Sequence, residues 1–269
     1  MVLPIRDDNP ISRPAVVTYA LIAINLFVYF AVQPHSSANA EQTFLYQHAA
    51  IPCEITTGHP ITAVPAFGTA LGAATTDASC TVGANVDQPR RIFPHKNVLL
   101  SIIESLFLHG SVIHVLGNML FLWIFGNNVE DRMGHVFYAL FYLVAGVLAT
   151  LSFVLVNQHS NQPLIGASGA IAGVMGAYLV WFPTARVLSI VIFFPFYLPA
   201  VVVLGIWFVS QFATNPNTGV AWQAHVGGFL FGAIVALLTR PFFGPRQPRV
   251  AAPHDDFGGG FRGGYPGRM

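Results

Sequence analysis

Six long apolar stretches, nearly free of charged residues, constrain the fold of this chain more than any other feature. They lie at about 15–33, 111–125, 135–156, 168–182, 187–212 and 222–239. A helix needs roughly 20 apolar residues to cross about 30 Å of hydrocarbon. Charged residues make up only 9% of the chain, whereas a soluble domain carries about 25%. The sequence therefore predicts an all-α, polytopic membrane protein with six transmembrane helices.

The basic residues predict how these helices are oriented. An even number of spans places both termini on one side, and arginine and lysine collect on the cytoplasmic side of a membrane. Under the six-span count, the arginines on the side of the termini are Arg6, Arg13, Arg132, Arg186, Arg240, Arg246, Arg249, Arg262 and Arg268. Only Arg90, Arg91 and Lys96 fall on the other side. We therefore expect both termini to be cytoplasmic, and the location to be a bacterial inner (plasma) membrane.

The same count divides the chain into three parts. Residues 1–14 form a cytoplasmic N-terminus, residues 15–240 a membrane domain, and residues 241–269 a Pro/Gly-rich cytoplasmic tail that is predicted to be disordered. The first apolar stretch is long enough to span and lacks a convincing cleavage site, so we do not interpret it as a signal peptide. The tail holds a single Arg-Gly-Gly, which is too little to indicate nucleic-acid binding.

One long outer loop, 34–97, interrupts the membrane domain and contains both cysteines of the chain. In an oxidising compartment Cys53 and Cys80 could form a disulfide, and the alternative is two unpaired thiols. The disulfide would hold together a loop that shows no obvious hydrophobic core of its own.

A few polar residues lie within the apolar stretches, where burying a polar side chain is costly and usually functional. They are His114 and Asn118 in the second stretch, Ser168 at the start of the fourth, and His225 in the sixth. No Asp or Glu falls inside the six stretches, which argues against a proton-coupled transporter. The even-numbered spans all run inward, so these side chains share one depth near the outer surface. A channel or transporter would instead carry polar groups through the whole membrane.

Ser168 lies in Gly166-Ala167-Ser168-Gly169, between a loop and a short helix. A helix over 168–182 would be only about 22 Å long, so Ser168 would start below the outer surface at the floor of a cavity. We expect the preceding segment, 157–167, to border water. The free amides of the helix N-terminus could stabilise an oxyanion. The alternative is an ordinary N-cap serine.

His225 belongs to a stripe of small residues that allows two helices to pack closely. The small residues of the sixth and fourth spans are Gly228, Gly232, Gly169, Gly173 and Ala177. If these spans pair, His225 Nε2 could act as general base for Ser168 Oγ. The alternative is a histidine that only donates an interhelical hydrogen bond.

His114 and Asn118 are four residues apart and therefore share one helical face. Both side chains could donate hydrogen bonds to a developing oxyanion, and the alternative is polar contact between helices. His109 is expected to be an interfacial or turn-stabilising residue. A metal site of His109, His114 and His225 is disfavoured, because five residues of helix turn His109 about 140° away from His114 and no carboxylate is near.

Taken together, these motifs resemble the signatures of the rhomboid intramembrane serine proteases. The matching segments are LHGSVIHVLGNM (108–119), FGNNVEDRMG (125–134), GASG (166–169) and AHVGG (224–228), and the resemblance covers about 99–238. It implies a six-helix rhomboid bundle with a Ser–His dyad, no metal and no cofactor. Ser168 would be the nucleophile and His225 the base, with His114, Asn118 and the Ser168 N–H as oxyanion hole. The partners would be the lipid bilayer and transmembrane proteins, which would be cut in or beside their membrane helices.

The chain departs from the family pattern in the long loop 34–97 and at Ala172. Some rhomboids carry an aromatic residue at the latter position that stacks on the catalytic histidine, so the resemblance does not say how His225 is oriented. Pro195 and Pro199, with aromatic neighbours, are expected to kink the fifth span and to let it move aside for substrate. The competing function is a catalytically silent rhomboid-like factor that binds membrane proteins, and the presence of both dyad residues argues against it.

Overall fold

The computed structural model describes residues 2–61, 93, 95–214 and 219–243. Most of the described chain is helical, with one small sheet. The elements are β1 (Val2–Asp7), α1 (Val16–Phe27, continued by a π-helical turn Val28–Val32), α2 (Ala38–His48), α3 (Pro52–Thr57), α4 (Val98–Glu104, continued by a 3₁₀ turn Ser105–Phe107), α5 (Val112–Met133), α6 (His135–Val156), α7 (Ser168–Trp181), β2 (Arg186–Val191), β3 (Phe194–Pro199), α8 (Ala200–Gln211) and α9 (Trp222–Thr239).

Three of the described helices, α5, α6 and α9, are long and apolar enough to cross a membrane. The other apolar helices have 10–17 residues and are Val16–Val32, Val98–Phe107, Ser168–Trp181 and Ala200–Gln211. The structure therefore supports a helical membrane bundle, and the count of six spans stays a prediction.

The predicted fifth span is wrong in its first half. Residues 186–199 form the antiparallel hairpin β2–β3, and β1 pairs with β2 on its other side to give the strand order β1-β2-β3. Pro195 and Pro199 lie in the edge strand β3, where a residue without an amide donor is tolerated. The helix begins only at Ala200. The expected proline kink is therefore absent from α8. Movement of this part of the chain to admit substrate stays a prediction.

The second span is longer than predicted, because α5 continues two turns beyond residue 125 to Met133. Glu130 therefore lies inside a helix and is 1% exposed, which corrects the expectation that no carboxylate falls in the spans. Its carboxylate accepts hydrogen bonds from the backbone amides of Val17 and Thr18, at 2.8 and 2.7 Å. Ala15 cannot cap α1 through its side chain, so Glu130 supplies the negative charge that a helix N-terminus favours.

Loop 34–97 contains α2, α3 and a small hydrophobic cluster, which corrects the expectation that it has no core. The cluster consists of Tyr46, Ile51, Cys53 and Ile61, with Phe93 packed against it. Lys96 Nζ lies 2.6 Å from Glu54 Oε2, and both side chains are fully buried. Burial lowers the pKa of Lys96, an effect that Glu54 opposes.

Of the two cysteines in the predicted disulfide, the structure describes only Cys53. Cys53 is buried and does not carry a free thiol. Cys80 lies outside the described residues, and the Cys53–Cys80 pairing stays a prediction.

The α7–α9 seam is the closest helix contact that positions the candidate site, and it confirms the predicted pairing of the fourth and sixth spans. Side chains at Gly228 and Gly232 would overlap the carbonyl oxygens of Gly169 and Gly173. A side chain at Gly176 would overlap the carbonyl oxygen of Phe229. Only glycine allows the two backbones to approach this closely.

The first and last described segments lie at the same end of the bundle. Strand β1 pairs with β2, which directly follows the C-terminus of α7. Arg132, near the C-terminus of α5, donates from Nε to the carbonyl of Phe243 at 2.9 Å. The placement of both termini in the cytoplasm stays a prediction, and residues 244–269 of the predicted tail lie outside the described residues.

Candidate active site

Ser168 and His225 are brought together by the α7–α9 seam. Ser168 is the first residue of α7, and His225 lies in the first turn of α9. The distance from His225 Nε2 to Ser168 Oγ is 2.8 Å, which is within hydrogen-bond range for a nucleophile and its base. The two side chains come from different helices, as the sequence analysis expected.

The segment before Ser168 is held in an irregular conformation by the 3₁₀ turn after α4 and by the connection between α2 and α3. Gly166 has a φ of 117°, a value that residues with a side chain rarely adopt. Its amide donates to the carbonyl of Ser105 at 2.9 Å, and the amide of Leu164 donates to the carbonyl of Ala50 at 2.8 Å. A narrow cavity beside Ser168 is lined in part by Ser105 and Leu164–Gly166. That the segment 157–167 borders water stays a prediction.

His114 and Asn118 both point at Gly166. A methyl group added at Gly166 would lie 2.9 Å from His114 Nε2 and 3.6 Å from Asn118 Nδ2. Their polar ends therefore converge two residues before Ser168, on the side where the N-terminal amides of α7 are free. All four predicted site residues thus border one small region at the N-terminal end of α7.

His109 contributes more to the site than the sequence analysis expected. It is fully buried, and Asn118 Nδ2 donates to its Nε2 at 3.0 Å. Gln33 fixes the backbone of His109 with two hydrogen bonds of 2.9 Å, one to its carbonyl and one from its amide. His109 therefore orients the Asn118 amide, a role that its position before the helix did not reveal.

Gln211, the last residue of α8, was also missed. Its Oε1 lies 2.7 Å from His225 Nδ1, and the side chain is almost fully buried. The ring of Trp207, one turn earlier, has its centroid 5.9 Å from that of His225. The only sequence signal was a polar side chain near the end of the fifth apolar stretch. That stretch was predicted to be one helix over 187–212, whereas α8 covers only its second half.

The histidines do not assemble into a metal site. Among the residues that the structure describes, no three His, Cys, Asp or Glu side chains are placed to share an ion. Both ring nitrogens of His225 face protein groups, Ser168 and Gln211, and His109 Nε2 faces Asn118.

Comparison with known proteins identifies the family. The family model described as "Rhomboid domain" matches residues 96–242, more than half of the chain. The chain belongs to the rhomboid family. This rhomboid is 27% identical over 157 residues to RHOMBOID-like protein 5 of Arabidopsis thaliana, covering 58% of the chain and 49% of the relative. It is 33% identical over 166 residues to Rhomboid protein 1, mitochondrial, of Saccharomyces cerevisiae, covering 57% of the chain and 46% of the relative.

A third relative is the Presenilin-associated rhomboid-like protein, mitochondrial, of Bos taurus, which is 32% identical over 154 residues and is covered over 38% of its length. This rhomboid therefore spans less than half the length of these curated relatives. Family membership establishes an integral membrane protein of a family that acts on membrane proteins within the bilayer. The expected bacterial inner membrane gains no support, because these relatives come from a plant, a yeast and an animal.

Proposed function

We propose that this rhomboid is an intramembrane serine endopeptidase that cleaves transmembrane or juxtamembrane segments of other membrane proteins. The single observation that carries the proposal is the 2.8 Å approach of His225 Nε2 to Ser168 Oγ across the α7–α9 seam. A serine hydroxyl is a weak nucleophile by itself, and a histidine at this distance can take its proton as it attacks.

The proposed reaction follows the general course of serine acyl transfer. Ser168 Oγ attacks the scissile carbonyl carbon while its proton moves to His225 Nε2, giving a tetrahedral intermediate. The protonated imidazole then donates that proton to the leaving amine, and the C–N bond breaks to leave an acyl-enzyme. Water, deprotonated by His225, attacks the ester and releases the new carboxyl group and Ser168.

The oxyanion of the intermediate would be stabilised by three donors around Gly166. They are the side chains of His114 and Asn118 and the backbone amide of Ser168. Each donor aimed at the developing charge contributes about 10²- to 10³-fold to the rate in comparable sites. The hydrogen bond from Asn118 to His109 uses one of its two amide hydrogens and leaves the other for substrate.

The membrane setting of the proposal extends the sequence analysis. We infer six spans within residues 15–240, both termini in the cytoplasm, and an opening toward the outer side of the bilayer. The lipid bilayer and transmembrane substrates would be the partners, with no nucleic acid, metal or cofactor. The alternative is a catalytically silent rhomboid-like binding factor, against which the close Ser168–His225 pair argues.

The test uses purified full-length protein in lipid vesicles with a transmembrane reporter substrate. We expect Ser168→Ala and His225→Ala each to reduce kcat by at least about 10³-fold, since members of a dyad act as one unit. A fluorophosphonate probe should label the wild type at Ser168 and should label His225→Ala far more slowly. Matched controls are Ser101→Ala, in α4, and His59→Ala, which is exposed, both outside the proposed machinery. Wild-type cleavage by either dyad variant would contradict the dyad. Failure of the wild-type protein both to cleave the reporter and to react with the probe at Ser168 would favour the binding factor.

A further inference from the structure

We propose that Gln211 is the positioning residue of the catalytic histidine, holding His225 in the one neutral tautomer that can accept the Ser168 proton. The inference rests on the proposed function and concerns a group that does not touch substrate. Ala172 is fully buried and too small to stack on the imidazole, so it does not orient the ring. We infer that Gln211 does so instead.

The hydrogen bonds of Gln211 fix which end of its amide faces the histidine. Its Nε2 donates to the carbonyl of Trp207 at 3.0 Å. A carbonyl oxygen accepts only, so the amide nitrogen must occupy that end. The amide oxygen is then the end that lies 2.7 Å from His225 Nδ1.

The orientation of the amide determines the tautomer of His225. An amide oxygen cannot donate, so the hydrogen of the neutral imidazole lies on Nδ1. The lone pair is then on Nε2, which faces Ser168 Oγ at 2.8 Å. In the other tautomer Nε2 would carry the hydrogen, two acceptors would face each other at Nδ1, and Nε2 could not take the serine proton.

The surroundings of Gln211 limit the access of water to His225 Nδ1. Gln211 is 6% exposed, and the ring of Trp207, which like Gln211 belongs to α8, lies beside the His225 ring. Trp207 and Phe208 both pack on Phe229 of α9, with ring centroids 5.9 and 4.7 Å apart. The imidazole is therefore oriented from α8, while its reaction partner comes from α7.

A neutral amide fixes the tautomer without adding charge, and this property distinguishes it from a carboxylate. Among the described residues no carboxylate, lysine or arginine forms an ion pair with His225. In the part of the chain that the structure describes, the titratable side chains nearest to the dyad are His114 of α5 and His109, whose ring centroids are 5.0 Å apart. Gln211→Glu would keep the acceptor and add a negative charge next to the imidazolium that forms during catalysis.

The experiment compares wild type with Gln211→Met, Gln211→Glu and the matched control Gln158→Met, an exposed glutamine just after α6. Steady-state kcat and KM are measured from pH 5 to pH 9 with the reporter in vesicles, together with the thermal midpoint and the imidazole ¹⁵N shifts of His225. We expect Gln211→Met to lower kcat by about tenfold or more with KM unchanged, since general-base contributions are about 10²- to 10⁴-fold. Its ¹⁵N shifts should report a mixture of tautomers.

Gln211→Glu is the informative rescue. It should recover activity on the alkaline side and move the acid limb of the pH profile to higher pH, because the carboxylate keeps the imidazole protonated over a wider range. A merely structural role for Gln211 would change the thermal midpoint and would leave the tautomer and the acid limb as in the wild type. That outcome would overturn the inference.

Ser168→Ala, measured in parallel, separates the two proposals. If Ser168→Ala is inactive while Gln211→Met keeps wild-type kcat, pH profile and tautomer, the positioning role fails and the protease stands. If Ser168→Ala cleaves as fast as the wild type, the dyad itself fails, and the Gln211 proposal fails with it.

Discussion

Single residues in this protein act through partners that are distant in the sequence. Asn118 was placed near the serine by its spacing from His114, yet its amide is oriented by His109, whose backbone is in turn held by Gln33. Gly166 matters for a different reason, because it combines a φ of 117° with a close approach to His114. The proposed oxyanion hole therefore depends on one position that must lack a side chain.

Gly166→Ala tests this dependence. The added methyl would lie 2.9 Å from His114 Nε2 and would strain the backbone, so the His114 donor would be displaced from the oxyanion. We expect kcat to fall by about 10²-fold, the effect of losing one such donor, with a smaller change in KM. The control is Gly110→Ala, whose methyl would make an ordinary contact of 3.4 Å with Ile165. Equal activity of the two variants would show that His114 and Asn118 do not need this space.

At the scale of elements, the seam between α7 and α9 sets the Ser168–His225 distance. Glycines on both helices bring backbone against backbone, so the two helix N-termini that carry the reacting groups have little freedom to separate. Helix α8 contributes Gln211 and the Trp207 ring to the same site, through aromatic contacts rather than through a glycine seam. If α8 moves aside to admit substrate, the hydrogen bond from His225 to Gln211 would therefore break and the imidazole would lose its fixed orientation.

Gly232→Ala tests the seam. Its methyl would overlap the carbonyl oxygen of Gly173, and the helices must separate to accept it. We expect a loss of about 1–3 kcal/mol in the free energy of unfolding, as for overpacked cores, and reduced cleavage because His225 moves away from Ser168. Gly205→Ala on α8 meets open space and should be neutral or stabilising, since alanine is the better helix former. Thermal unfolding in detergent compares them, and a Gly232→Ala protein as stable as Gly205→Ala would argue against a tight seam.

For the whole molecule, the first strand ties together the C-terminal parts of α5 and α7. Asp7 at the end of β1 accepts hydrogen bonds from the Tyr178 hydroxyl at 2.8 Å and from Asn128 Nδ2 at 2.6 Å. Ser12 Oγ donates to Asp131 at 2.7 Å. The N-terminal segment thus connects α5, α7 and the hairpin before α8 in one hydrogen-bonded layer.

Asp7 makes the stability of this layer depend on pH. Burial raises the pKa of Asp7 from its ordinary 3.8 to about 6, with the Tyr178 hydrogen bond opposing the shift. Between these values the folded protein binds more protons than the unfolded chain, so this contribution to stability falls as the pH rises through that window. We expect Asp7→Asn, which stays neutral, to lack this decline.

The measurement is the thermal midpoint of wild type, Asp7→Asn and Asp8→Asn at pH values from 4 to 7. The difference between Asp7→Asn and wild type should grow in favour of the variant as the pH rises. Asp8, which pairs with Arg6 at 3.8 Å near the surface, serves as the control and should follow the wild type. Parallel curves for all three proteins would contradict a buried, proton-binding Asp7.

The sequence by itself determined the membrane class and the four candidate site residues. Apolar stretches, small-residue stripes and polar side chains in apolar surroundings are properties of residue type and local spacing, which a chain displays before it folds. The family match over 96–242 supports the membrane class.

Only the tertiary structure decided how the site is supported and how the sheet forms at the C-terminal end of α7. The hairpin at 186–199 is stabilised by pairing with residues 2–7, and Glu130 caps α1 from the far end of α5. The partner of His225 likewise comes from the end of α8 rather than from position 172. A strand needs a neighbour, and a buried polar group needs a donor or acceptor, but neither requirement specifies where in the sequence the partner lies.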